Sequence, residues 1–171
     1  MYVNILLAVV SLLSIVFIVF SFQIIFLGRS IKRREQKIIS LYKEKIDKIP
    51  AFIEIMSKKT AYKDIFLEII HLHKVAIISN IWSIYDILEN NSRIHREFLF
   101  LMKVSARMRD LNTNGNFLYI RNFIIFYENT ISKEMLFLNS DIERYNRLLQ
   151  KKDLTIVGLF VFFKKRMRTS S

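Results

Sequence analysis

Between Asn114 and Leu149 the apolar residues sit on a sevenfold ladder: Phe117, Ile124, Ile131, Leu138 and Tyr145. A second rail, Ile120, Tyr127, Met135, Ile142 and Leu149, runs beside it. Residues three and four apart share one face of a helix, whereas a strand alternates every two, so the spacing predicts a long amphipathic helix. Such a stripe has to be covered, and the rest of the chain must supply the covering helices. Three glycines and one proline among 171 residues leave little punctuation for strands and hairpins. The expected fold is therefore all-α: an N-terminal transmembrane helix followed by an antiparallel, up-down four-helix-type bundle with long helices. With no cysteine in the chain, disulfides and thiolate chemistry are excluded.

The covering segments are read from the N-terminus. Met1 to Gly28 carries no charged side chain, and Ile5 to Leu27 is interrupted only by Ser11, Ser14, Ser21 and Gln23. As a helix these residues span roughly 34 Å, enough for a hydrocarbon core of about 30 Å. A cleaved signal peptide would show a basic start, a shorter apolar core and small residues at a cleavage site. This run has none of these, so residues 1–28 are expected to remain as an anchor. Arg29, Lys32, Arg33, Arg34 and Lys37 follow directly. Basic residues collect on the cytoplasmic side of a span, so the N-terminus is expected outside the cell membrane and the rest in the cytoplasm.

Residues 29–49 read as a basic juxtamembrane helix, and residues 50–152 join it to form the bundle core. Pro50 suits the first turn of a second helix, whose polar waist from Ser57 to Asp64 leaves room for a break near Thr60. Asn90-Asn91-Ser92 is the strongest turn signal in the middle of the chain, with Ser92 as the cap of a third helix over about Arg93 to Leu111. Asn112 to Asn116 should close that helix through left-handed Gly or Asn, and Asn114 or Asn116 should cap the fourth.

The formal net charge is +12, and two thirds of the basic excess sits in two clusters: residues 29–37 carry a net +4, as do residues 164–168. Both follow apolar runs, which points to anionic lipid at the cytoplasmic face and away from nucleic acid. In the C-terminal segment, 153–171, Leu154 to Phe163 is too short to span a bilayer. In an up-down bundle the fourth helix returns to the membrane, so Phe160, Phe162 and Phe163 are expected to dip into the interface. Lys164, Lys165, Arg166 and Arg168 would then meet lipid, each contributing about 1 kcal/mol. The plainer alternative is that the run caps the core and the tail is solvated.

The fourth helix also carries a resemblance. Asn114-x-Asn116-Phe117, Glu128-Asn129-x-Ile131 and Asn139-x-x-Ile142-x-x-Tyr145-Asn146 resemble the signature of the LemA family in order and spacing. Asp47-x-Ile49-Pro50, Leu67-Glu68 and the apolar run from Ile156 are similar to flanking pieces of that family. Where the family has Phe-Pro, Lys152 and Asp153 stand here, so the chain reads as a divergent member. The resemblance implies a single-pass membrane protein with a helical-bundle soluble part and no established enzymatic activity.

No residue pattern asks for a cofactor, a metal or a catalytic group. His71 and His73 lie two apart and point to different faces, unlike the i, i+4 pair that a helical zinc site uses. Glu128, Asn129, Asn139 and Asn146 border the apolar stripe, where they would bond across the bundle and fix its register. The leading expectation is a scaffold or adaptor with an unidentified protein partner and no chemistry of its own. Two alternatives stand beside it: an enzyme subunit using Glu128 in an inter-helix groove, and a membrane-tethered nucleic-acid binder.

Overall fold

The computed structural model describes residues 2–61, 63–78 and 83–153, with side chains as far as residue 150. Every regular element among them is a helix: α1 (Tyr2–Ile46), α2 (Ile49–Ser57), a 3₁₀ turn (Lys63–Phe66), α3 (Leu67–Ile78), α4 (Ile84–Ser105), α5 (Arg109–Asn112) and α6 (Gly115–Asp153). The apolar and basic N-terminal segments form one uninterrupted helix, α1. It is long and apolar enough to cross a membrane, and none of its most apolar 18-residue window is buried by protein.

The chain divides into two compact units, and α1 and α6 contribute to both. The first takes in Met1–Arg34 and Leu136–Ser170. Among its described residues, Ile24 and Ile31 of α1 and Leu138, Ile142, Tyr145 and Leu149 of α6 are buried. Gly28 of α1 faces Tyr145 of α6, and a methyl group added there would meet the Tyr145 ring at 3.9 Å, an ordinary van der Waals contact.

The second unit, Glu35–Met135, holds most of the core. Its buried residues repeat the sevenfold spacing on three helices: Ile38 and position 45 on α1, Ile87, Ile94 and Leu101 on α4, and Phe117, Ile124 and Ile131 on α6. Phe52 of α2 joins them, with its ring 5.0 Å from Phe98 and 5.5 Å from Phe117. Offset aromatic contacts of this kind add to the apolar burial that drives packing.

Three local expectations need correction. Asn90-Asn91-Ser92 is not a turn, because α4 runs straight through it, and the third helix covers Ile84–Ser105 and not Arg93 to Leu111. Its cap is Ser83, whose hydroxyl accepts from the Asp86 amide at 3.2 Å while the Asp86 carboxylate accepts from the Ser83 amide at 3.1 Å. Asparagine favours turns when its side chain bonds its own backbone, and here both amides are committed to distant helices instead. Gly115 does not take a left-handed conformation; no described glycine does, and Gly115 is the first residue of α6. Elsewhere the continuity that the polar waist left open is decided, since α2 ends at Ser57. Asn114 caps α6, its side-chain oxygen accepting from the Phe117 amide at 2.9 Å.

Candidate functional site

Polar side chains within the second unit converge on Lys45. This residue occupies the rung of the α1 ladder after Ile38, where the spacing calls for an apolar side chain, and it is fully buried. A buried ammonium is costly unless its donors are satisfied. Lys45 Nζ donates to Asn91 Oδ1 of α4 at 2.9 Å and to Glu128 Oε2 of α6. Asn91 Nδ2 in turn donates to Glu128 Oε1 at 3.3 Å, closing a ring across three helices. His95 Nδ1 stands 3.7 Å from the same carboxylate oxygen, beyond hydrogen-bonding distance. Burial pushes the Lys45 ammonium below its ordinary 10.5, and the Glu128 charge and hydrogen bond hold it partly up.

One turn away, Asn90 Nδ2 donates to the Tyr42 hydroxyl at 2.7 Å and toward the Leu72 carbonyl at 3.4 Å. Burial raises the Tyr42 phenol above its usual 10.0, against the opposing hydrogen bond from Asn90. Around these polar contacts α1 and α6 make further pairs. Lys37 Nζ lies 2.6 Å from Glu134 Oε1, and Tyr127 donates to Glu44. Partners climb α1 as they descend α6, so the two segments run antiparallel within this unit.

A second polar cluster belongs to the first unit. Asp141 is buried and accepts from Ser30 Oγ at 2.9 Å and Arg34 Nε at 2.8 Å. The Arg34 guanidinium also sits 5.0 Å from the centre of the Phe137 ring. Beside this pair a groove of about 600 Å³ is lined by Phe26, Leu27 and Arg34 of α1 and by Arg144, Arg147 and Leu148 of α6.

Of the residues expected to touch lipid, Arg29, Lys32 and Arg33 are exposed, whereas Arg34 and Lys37 are engaged by Asp141 and Glu134. Phe160, Phe162, Phe163, Lys164, Lys165, Arg166 and Arg168 lie outside the described residues. Along the α6 motif, Phe117 and Tyr145 are core residues, Asn139 and Asn146 are half-buried, and Asn116 and Asn129 are exposed. His71 is exposed and His73 half-buried. Burial lowers His73 below its ordinary 6.5, opposed by Asp47 and a backbone hydrogen bond at Ile46.

Sequence reading singled out Glu128 but missed its partners Lys45 and Asn91, as well as Asp141, Arg144 and Arg147. For Lys45 a signal existed: Ile24, Ile31 and Ile38 set a sevenfold series that a lysine completes. Arg144 and Arg147 gave no comparable signal, because charged residues beside an amphipathic stripe are ordinary solvated positions. No family model, no curated protein and no solved structure matches the chain.

Proposed function

We propose that this is a single-pass membrane protein of LemA type, acting as a scaffold or adaptor at the cytoplasmic face of the cell membrane. The observation that carries this reading is the apolar stretch of α1. Most of its large side chains from Val3 through Phe22 are exposed, with Phe17 and Phe20 half-buried. A contiguous apolar surface of this size is unfavourable in water and matches a bilayer. Arg29, Lys32 and Arg33 then follow at the position of a cytoplasmic flank. An antiparallel four-helix-type bundle is the arrangement we propose for the remainder, with the Phe-rich and basic C-terminal segment as a second lipid contact.

Adaptor function is supported by two features. Glu128 is engaged by Lys45 and Asn91, which favours a role in holding helices together over one in proton transfer. On the outer face of α6, Tyr119, Phe123, Phe126 and Tyr127 make a run of ring contacts, with Tyr119 and Phe126 more than 60% exposed. Exposed aromatic patches of this kind mark partner surfaces.

Because the chain has no native cysteine, single cysteines at Asn4 and Lys103 report orientation directly. An impermeant thiol reagent added to intact cells should label Asn4→Cys and spare Lys103→Cys. Labelling of Lys103→Cys alone would overturn the orientation, and recovery of unaltered protein in the soluble fraction would overturn the anchor. Photocrosslinkers at Tyr119 and Phe126 in intact membranes should capture a protein partner. A lack of any adduct from either position would count against the adaptor reading.

A further inference from the structure

The groove beside Arg34 and Asp141 combines two chemistries. On one side are Phe26 and Leu27, the last apolar residues of the proposed span, facing Leu148 of α6. On the other are three arginines, with Asp141 the single acid in the lining, which leaves a net charge of two positive. The register places these side by side. Arg34 pairs with Asp141, and Gly28 faces Tyr145. One further turn along each helix brings Arg147 and Leu148 level with the end of the apolar stretch. Ser30 and Arg34 pin the Asp141 carboxylate, so the acid is occupied from within the site. Arg144 and Arg147 are exposed to the groove mouth, and the contact of Arg147 with Glu143 is long, at 3.9 Å.

We infer that this groove binds the headgroup of an anionic phospholipid, its phosphate among Arg34, Arg144 and Arg147 and its acyl chains along Phe26, Leu27 and Leu148. This rests on the reading of α1 as a membrane anchor and goes beyond it, since an anchor alone requires no particular lipid. Guanidinium groups suit the task because each offers paired donors to phosphate oxygens. The adjoining apolar wall distinguishes a lipid from a soluble phosphate compound. The net positive lining suits an anionic headgroup. Zwitterionic lipid has no net charge to offer it.

The test uses the full chain extracted from vesicles of phosphatidylglycerol and phosphatidylcholine in equal parts, with retained lipid counted by native mass spectrometry. Phosphatidylglycerol should be retained in preference to phosphatidylcholine. Arg144→Gln/Arg147→Gln should weaken that retention by about tenfold or more, from the loss of two cations near the headgroup. A control of equal charge loss, Lys103→Gln/Arg107→Gln, should stay within about twofold of the parent. Equal loss in both variants would show attraction by bulk charge and overturn the groove, and so would unchanged retention in the arginine variant. Displacement of the lipid by inorganic phosphate at millimolar concentration would overturn the lipid as occupant. Alkaline washing of membranes separates the two readings. If the parent chain is stripped off, the anchor falls and the groove with it; if it stays while the arginine variant retains lipid fully, only the groove falls.

Discussion

Each unit of this protein joins α1 to α6 through ion pairs, and Lys45–Glu128 in one and Arg34–Asp141 in the other differ in their exposure to solvent. In the second unit Lys45 is wholly buried and Glu128 nearly so; in the first, Arg34 keeps about a third of its side chain exposed against a buried Asp141. A fully buried pair contributes little net stability over an apolar substitute but is strongly destabilising when halved. It therefore penalises any register that separates its members. A pair at a groove edge is cushioned by water, so its loss costs little and its arginine remains near a surface where a ligand can approach. The same two helices thus carry a register lock in one unit and a binding edge in the other.

The largest expected effect breaks the buried side of this comparison. Lys45→Met should destabilise the chain by about 3 to 5 kcal/mol, because Glu128 and Asn91 lose their buried cation. Replacing the whole ring with Lys45→Met/Asn91→Leu/Glu128→Leu should recover most of that loss. Denaturant unfolding of residues 35–135 within the full chain, followed by helical signal, measures both. A triple variant as unstable as the single one would show that the ring stabilises by more than mutual satisfaction.

Tyr42 gives the next effect. Tyr42→Phe removes the partner of the Asn90 amide and should cost about 1 to 2 kcal/mol. It should also change the alkaline limb. The folded phenol holds its proton above the ordinary 10.0, so the unfolded chain releases that proton first. The contribution is therefore complete below pH 10 and declines as pH rises past it. The parent chain should lose stability with a steeper slope above pH 10 than the Phe variant, as followed by midpoint shifts in urea. Parallel slopes would remove Tyr42 as the source.

The smallest effect belongs to the groove edge. Arg34→Gln should cost about 1 kcal/mol or less, since Ser30 still donates to Asp141 and solvent reaches the site. A loss as large as that of Lys45→Met would erase the distinction between the two units.

Much of the fold was legible from local pattern. The sevenfold ladder of α6, the apolar run of α1, Pro50 at the start of α2 and the Asn114 cap all depend on residues within a turn or two of one another. Backbone geometry and side-chain period are enough to read them. The candidate sites were not legible in this way. Lys45 and Glu128 are 83 positions apart, and Arg34 and Asp141 are 107 apart.

Sequence by itself determined that the chain is helical, where α1 and α6 lie, and that α1 is apolar enough to cross a membrane. Only the tertiary structure decided that Asn90 and Asn91 sit inside a helix, because their amides gain partners on α1, α3 and α6 that outweigh their local turn preference. It also decided that a lysine occupies a core rung and that arginines from both ends of the chain share one groove. The physical reason is the same in each case. Periodicity reports which face of a helix is buried, while the cost of burying a charge depends on which distant group arrives to meet it.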